Sequence, residues 1–476
     1  MSTKDREMKL IQCRRDFLVN GSLGFGALAL KDILLRDGQA AELRTGNPLA
    51  TRPAHAAGTA KSVIFLFMQG GPSHLETFDY KPTLRKYDGQ LLPESLRNFD
   101  LAQINTADEK IMAPQFAFRK YGESGQEISS LFPYLSQHAD KMAIIRSMHH
   151  DLFIHGSAMI MMHSGTPLLG HPSVGAWVVY GLGCESDNLP AYIAMTDSIF
   201  RNGASMYTSG FLPAIYQGTA LRAEGVPIQN LQSQPDVSAR QQRLLLAQLS
   251  SWNRDHLHSR PYDSRLNARI ANYELAFRMQ TSAPELVDLS GETPATRNLY
   301  GIDQGRSARF GKMCLMARRM VERGVRYVHL ISGGWDAHSD CKGNHDGQAK
   351  AIDQPIAGLI ADLEQRGLLE STLIVWVGEF GRTPIRQGGN GRDHHPYGFS
   401  AWLAGGGIVG GKTIGATDDF GFNAIEDKVH VNDLHATILG LLGIDHEALT
   451  YLFEGRDRRL TDVGGDNNLA SRLVRG

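Results

Sequence analysis

The sequence predicts an α/β fold, a large, mostly parallel β-sheet sandwiched by helices. Three observations predict it. Apolar runs of strand length recur along the chain, helical patterns alternate with them, and acids and imidazoles gather in the loops just beyond the runs. A strand covered on both faces has no solvent side to spend polar residues on, so it reads as an unbroken apolar run rather than as an alternation.

The first such run is SVIFLFM at 62–68, closed by the glycine turn QGGPSH. ISSLFPYLSQHA, 128–139, reads as a helix, and KMAIIRSM, 141–148, as the next strand. HHDLFIHGSAMIMMHSGTP, 149–167, opens in a loop and continues as an apolar helix ended by Gly165 and Pro167. LPAYIAM, 189–195, is a further strand. From about 200 to 300 the texture changes to Gln, Ser and Arg, with helical periodicity in ARQQRLLLAQLSSW and RLNARIANYELAFRMQ, which reads as a helical insertion. The alternation then resumes: helix 306–323, strand 325–331, helix 348–366, strand 372–377, strand 400–405 and helix 433–442. Residues 31–60 read as a linker and 461–476 as a C-terminal tail, leaving one domain over 60–460.

At 476 residues the chain buries an ample core without cross-links. Lys plus Arg number 49 against 50 Asp plus Glu, with no long run of either sign. That balance gives no grip on polyanions, so no nucleic-acid partner is expected. The four cysteines, Cys13, Cys184, Cys314 and Cys341, form no CxxC pair to suggest a thiolate metal site or a redox motif.

The N-terminus reads as an address. In CRRDFLVNGSLGFGALAL, 13–30, the adjacent arginines Arg14 and Arg15 precede Phe17, Leu18 and a short, glycine-diluted apolar run that stops at Lys31. The pattern resembles a twin-arginine export signal, with an A-x-A cleavage site at Ala54-His55-Ala56. Residues 20–30 are too short to span a bilayer and no later segment qualifies, so the mature protein is expected without a transmembrane segment, periplasmic or extracellular. The alternative is an ordinary amphipathic start to the fold.

In an open α/β sheet, ligands bind beyond the carboxyl ends of the strands. The polar clusters sit in just those loops. SGGWDAHSD offers Asp336, His338 and Asp340; GEFGRTP offers Glu379 and Arg382; GRDHHPYG offers Asp393, His394 and His395. The first strand delivers Gln69, Ser73 and His74, and the strand ending near Met148 delivers His149, His150, Asp151 and His155. Each residue alone has a bland account: Asp336 caps a turn, Glu379 pairs with Arg382, His394 bonds a carbonyl. Their repetition at the same kind of position favours a site. Mixed carboxylate and imidazole donors suit zinc, manganese or iron better than calcium, which prefers oxygen shells. Arg382, always charged and fork-shaped, is a candidate holder of phosphate or sulfate. In VNDLHATILGLLGID, Asp433 reads as a helix-dipole partner and His435 stays ambiguous; the methionines of AMIMMHSG read as core.

GGWDAH, EFGRTP, GRDHHPYGFSAWLAGGGIVGGKTIGATDD and VNDLHATILGLLGID, in that order after the leader and GGPSHLETFDYKP, resemble an exported domain-of-unknown-function family related to sulfatases, within the alkaline phosphatase superfamily. The resemblance spans about 60–460. It implies a sulfatase-like α/β sandwich with metal at the strand ends and hydrolysis of phosphate or sulfate esters. It places Glu379 at an acidic ligand position, with Phe380 where a second ligand stands in the superfamily, His394 or His395 at the later histidine ligand, and Asp336 with His338 in the ligand loop before it. Two departures matter. The first strand ends in Gln69-Gly70-Gly71 where the superfamily carries a metal-binding aspartate, and HGSAMIMMHSG puts His155 at the sulfatase nucleophile position without the arginine, which argues against formylglycine chemistry.

The expectation is therefore an exported, metal-dependent hydrolase of a small-molecule or glycan ester. Asp336, His338, Glu379, Asp393, His394 and His395 are its candidate metal ligands, zinc or manganese the favoured ion, and His155, Ser73 and Arg382 the candidate catalytic groups. The alternative is a non-catalytic exported binding protein that keeps the fold.

Overall fold

The computed structural model describes residues 48–97, 108–222, 238–259 and 264–474. The chain divides into two units, Met1–Ala50 and Thr51–Gly476. The twin-arginine pattern at 13–30 lies outside the described residues. No helix among those described is long and apolar enough to cross a membrane.

A nine-stranded sheet organises the unit. In chain order its strands are β1 (Ser62–Met68), β2 (Met142–His149), β3 (Tyr192–Thr196), β4 (Thr219–Arg222), β5 (Tyr327–Ser332), β6 (Thr372–Val377), β7 (Phe399–Gly405), β8 (Thr413–Ile414) and β9 (Val429–His430). Their spatial order is β8-β2-β7-β6-β1-β5-β3-β4, with β9 also paired to β2. Every pairing is parallel except the two made by β7, which runs antiparallel to both β2 and β6. The sheet is thus mixed and mostly parallel, as the unbroken apolar runs predict.

Burial follows from the runs. All seven residues of β1 are buried, and each large apolar side chain taken from water there contributes about 1.5–3 kcal/mol. Ile64, Leu66 and Met68 share one core with helices α2 (Ala308–Glu322) and α3 (Cys341–Gln365). The intervening Phe65 and Phe67 point the other way, onto His163 of helix α1 (His155–Ser164). A period of two therefore feeds helical layers on both faces.

Four segments depart from their sequence reading. ISSLFPYLSQHA is not an α-helix: it finishes a strand, Gln126–Ser129, and then forms a 3-10 turn, Leu135–Lys141. Pro133 lies inside it and disfavours helical backbone before it. The helix expected at 348–366 begins seven residues earlier, at Cys341, because the Asp340 side chain accepts a hydrogen bond from the Gly343 amide and caps it. Within the insertion, 219–222 is an edge strand of the main sheet, and the helical part is Ala239–Ser259 followed by Ser264–Val287. The last residues also belong to the body: Leu469 and Leu473 are buried, and the Asn467 amide donates to Asp433.

Topology aims the loops. Parallel strands β2, β5 and β6, like β1, end at one edge of the sheet, and antiparallel β7 begins at that same edge. Loops after residues 68, 149, 332 and 377 and the loop before 399 consequently share it.

Candidate metal centre

Four side chains meet at that edge. His155, Asp336, His338 and His394 each present a ligand atom within 4.8 Å of the others, all partly buried. Tetrahedral donors about 2.1 Å from an ion lie about 3.4 Å apart. His155 opens helix α1. Asp336 and His338 lie in the loop after β5, and His394 comes from a two-stranded ribbon in which His394 pairs with Arg382 and His395 with Gly381.

That ribbon sorts the two adjacent histidines. Successive side chains of a strand point to opposite faces. His394 turns into the cluster, whereas His395 turns away, fully buried against Phe422, whose carbonyl its Nε2 bonds. Burial holds the His395 ring neutral, at about 4.

The outer nitrogens define the chemistry. His155 Nδ1 lies 2.6 Å from Glu379 Oε1, His394 Nδ1 lies 2.8 Å from the Phe153 carbonyl, and His338 Nδ1 lies 2.5 Å from Gln387 Oε1. Each partner is an acceptor, so in the neutral rings the hydrogen sits on Nδ1 and Nε2 is left as a bare lone pair. All three Nε2 atoms then face Asp336. Those of His338 and His394 stand 2.9 Å apart and lie 3.0 and 3.3 Å from Oδ1; that of His155 is 3.1 Å from Oδ2 and makes no aligned hydrogen bond. With all three rings neutral in this tautomer, three lone pairs and a carboxylate repel one another unless a cation joins them, either a metal ion or a proton taken up on Nε2. The donor set therefore fits a divalent transition ion, held by one carboxylate and three imidazoles with acceptors bound behind them.

Titration marks where a proton competes with an ion, between His155 and Asp336. Burial alone would raise the Asp336 carboxyl, but His155, His394 and Arg382 hold it well below the usual range, so it stays a carboxylate. His394 is lowered, by burial first and by the Arg382 charge as well, despite its bond to Asp336. Burial opposes charging of His155 too, yet its two flanking carboxylates raise it.

Glu379 is not among the four. It is fully buried, with both oxygens accepting the Gly70 amide, at 2.9 and 3.1 Å, and Oε1 orienting His155. Gly70 makes this possible: its φ is +119°, and a Cβ there would lie 2.5 Å from the Asp336 amide nitrogen. The end of β1 is thus a close backbone approach rather than a ligand-bearing turn. Asp393 stands beside the cluster, 3.6 Å from His338 Nδ1, and caps the His394 amide at 2.8 Å. Phe380 packs on the His155 and His394 rings at 4.9 and 4.5 Å and walls the site.

Arg382 and Ser73 are placed differently from a substrate-facing group. Arg382 is fully buried and donates to the Gly70, Gly71 and Arg392 carbonyls and, at 2.8 Å, to Asp336 Oδ1. It pairs with Asp336, not with Glu379. Ser73 is buried, its amide bonded to His345. Among the described residues no Ser, Thr or Cys side chain hydrogen-bonds to any of the four.

Sequence reasoning missed Arg201. Its guanidinium is half-exposed and 3.5 Å from Asp336 Oδ2. Gln69 fixes the backbone there, accepting the Arg201 amide and donating to the Ile199 carbonyl, while Asn202 donates to the Gly156 carbonyl at 2.7 Å. Arg201 sits in the loop after β3, and position just beyond a parallel strand was the one available signal.

The family described as "Protein of unknown function (DUF1501)" matches residues 60–472. No curated protein matches the chain. Among solved structures, the lipoteichoic acid synthase LtaP from Listeria monocytogenes is similar at a TM-score of 0.36 and 11% identity, over 83% of this chain and 76% of that one. The PsFucS1 sulfatase from Pseudoalteromonas sp. is similar at 0.36 and 13%, over 82% and 68%. An alkaline phosphatase superfamily protein from Vibrio parahaemolyticus is similar at 0.35 and 10%, over 85% and 71%. At such values they transfer no residue role.

Proposed function

The chain belongs to the DUF1501 family, and we propose that it acts as an exported, metal-dependent hydrolase of phosphate or sulfate esters. One observation carries the reading: three imidazole lone pairs, fixed by acceptors on their far nitrogens, converge on one ionised carboxylate. His155, Asp336, His338 and His394 would hold the ion, with zinc or manganese favoured by this donor set. A divalent ion so held supplies Lewis acidity and acidifies bound water.

The chain's own groups account for the rest. Glu379, Gln387 and the Phe153 carbonyl orient the three rings and fix which nitrogen is bare. Arg382, committed to three carbonyls, holds Asp336 in place. Arg201 alone of the two arginines reaches solvent beside the cluster, and its planar fork suits two oxygens of a tetrahedral oxyanion. With no hydroxyl or thiol side chain among the described residues bonded to the four, water would supply the attacking oxygen. Phe380 dries one wall, which strengthens each charge interaction inside.

A second reading, an exported binding protein that retains the ion without catalysis, draws on the same missing nucleophile. Metal analysis of purified wild type, Asp336→Ala and His394→Ala, followed by a panel of chromogenic phosphate and sulfate esters, separates them. About one equivalent of transition metal in wild type only, with turnover, supports the hydrolase. Metal without turnover on any ester favours the binding protein. Absence of metal even after supplementation removes both.

A further inference from the structure

The Ala54-His55-Ala56 motif fits a leader-peptidase site by sequence, yet the segment that carries it is built into the fold. Arg52 donates its amide to the Leu182 carbonyl at 2.9 Å and its guanidinium to the Tyr180 carbonyl and, at 3.1 Å, to the Tyr216 hydroxyl. His55 Nδ1 accepts the Asp445 amide at 3.0 Å, and the Ala56 amide donates to the Gly443 carbonyl at 3.0 Å. Thr59 and Ala60 both donate to the Leu441 carbonyl, after which Lys61 donates to Ser371 and the chain enters β1. The contact is close at backbone level: a Cβ on Gly443, whose φ is +75°, would lie 2.3 Å from the Ala56 carbonyl oxygen.

We propose that Thr51–Ala60 is a strap retained in the working protein, and that any trimming of the N-terminus stops before Thr51. A peptidase needs its substrate extended and free on both sides of the bond, so cutting after Ala56 would first require the strap to undock from the ends of the helices Val174–Leu182 and Val431–Leu441. Its side chains from 53 to 59 are exposed, which hides this from a sequence reading. The backbone and Arg52 make the attachment. Such a strap ties the start of the central strand to two helices of one face, a register the apolar pattern of β1 does not specify.

The full chain, produced with its native N-terminus in a host that exports it, is purified and its first residue found by N-terminal sequencing and intact mass. A start at or before Thr51, an uncut chain included, is expected; a start at Ala57 overturns the proposal. Chains beginning at Thr51 and at Ala57 are then melted side by side, with Arg52→Ala in the full chain as the milder variant. The Ala57 chain should melt several degrees lower, or fail to fold, and Arg52→Ala should fall in between. Equal melting of all three overturns the strap.

Discussion

Two groups of histidines share helix α1, one in the core beneath the helix and one at the sheet edge where it begins, and their difference shows what turns imidazoles into a site. In the core, His163 and His329 stand Nε2 to Nε2 at 3.2 Å, with His435 close by and bonded to the Met162 carbonyl. His163 gives its Nδ1 hydrogen to Met159, so its Nε2 accepts and that of His329 donates. The pair is complementary, although His329 Nδ1 is buried without a hydrogen-bond partner. At the sheet edge, His338 and His394 stand at 2.9 Å with both Nε2 atoms bare, facing a carboxylate. Among the described residues no carboxylate hydrogen-bonds to the core rings. Clustering is common to both groups; what separates them is the placement of protons.

Substitution tests that contrast from its strongest side. Asp336→Asn, which keeps shape and removes charge, is expected to drop bound transition metal to background, measured by elemental analysis; retention of a full equivalent would break the comparison. Glu379→Gln should leave the four donors in place but disturb the His155 tautomer, weakening metal affinity roughly 10–100-fold in a competition titration. If it instead abolishes binding, Glu379 is itself a ligand. Arg201→Ala should leave metal content unchanged and raise KM for an ester substrate by about tenfold, the worth of one charge-assisted contact of about 1.4 kcal/mol. An effect on metal content would place Arg201 in the framework rather than at the substrate.

The core group sharpens the comparison through pH. Burial above all lowers His163 and His435 to about 4 and His329 well below its ordinary value. In the unfolded chain these rings titrate near 6.5. Between pH 6.5 and 4 the unfolded chain therefore takes up protons that the fold refuses, and stability falls as pH falls; above 6.5 both states are neutral and the contribution vanishes. His163→Phe should leave metal content untouched and reduce the loss of melting temperature between pH 7 and pH 5. An unchanged pH profile would show that other groups govern acid stability, and this is the smallest effect of the four.

Much of the site was legible because chemistry and topology share a signal. Asp336, His338, Glu379 and His394 stand out in the sequence by their position just past strand-length runs. His155 stands out too, though as a nucleophile rather than a donor beside Asp336. The two neighbours at 394 and 395 could not be separated: alternation guarantees that they diverge, but only the pairing with Arg382 and Gly381 says which one turns inward. Arg382 reads in sequence as an oxyanion holder or a partner of Glu379, because two of its acceptors, the carbonyls of Gly71 and Gly70, lie 311 and 312 residues away and carry no side-chain signature. Arg201 went unnamed for the same reason, since Gln69 and Asn202 hold its loop through backbone atoms. Glu379, fully buried, reads in sequence like any acid at a strand end; its bond to the Gly70 amide is what moves it behind the donors.

By itself, the sequence determined the layered sheet, since unbroken apolar runs have no stable arrangement except between covering layers, and it determined which residue types stand at the strand ends. It did not determine that one strand runs antiparallel, because periodicity is blind to direction, nor that the strand so reversed brings its entry loop to the common edge. Only the tertiary structure decided where each imidazole proton goes. That choice depends on an acceptor supplied by a distant backbone or side chain, and it is what leaves three lone pairs aimed at Asp336.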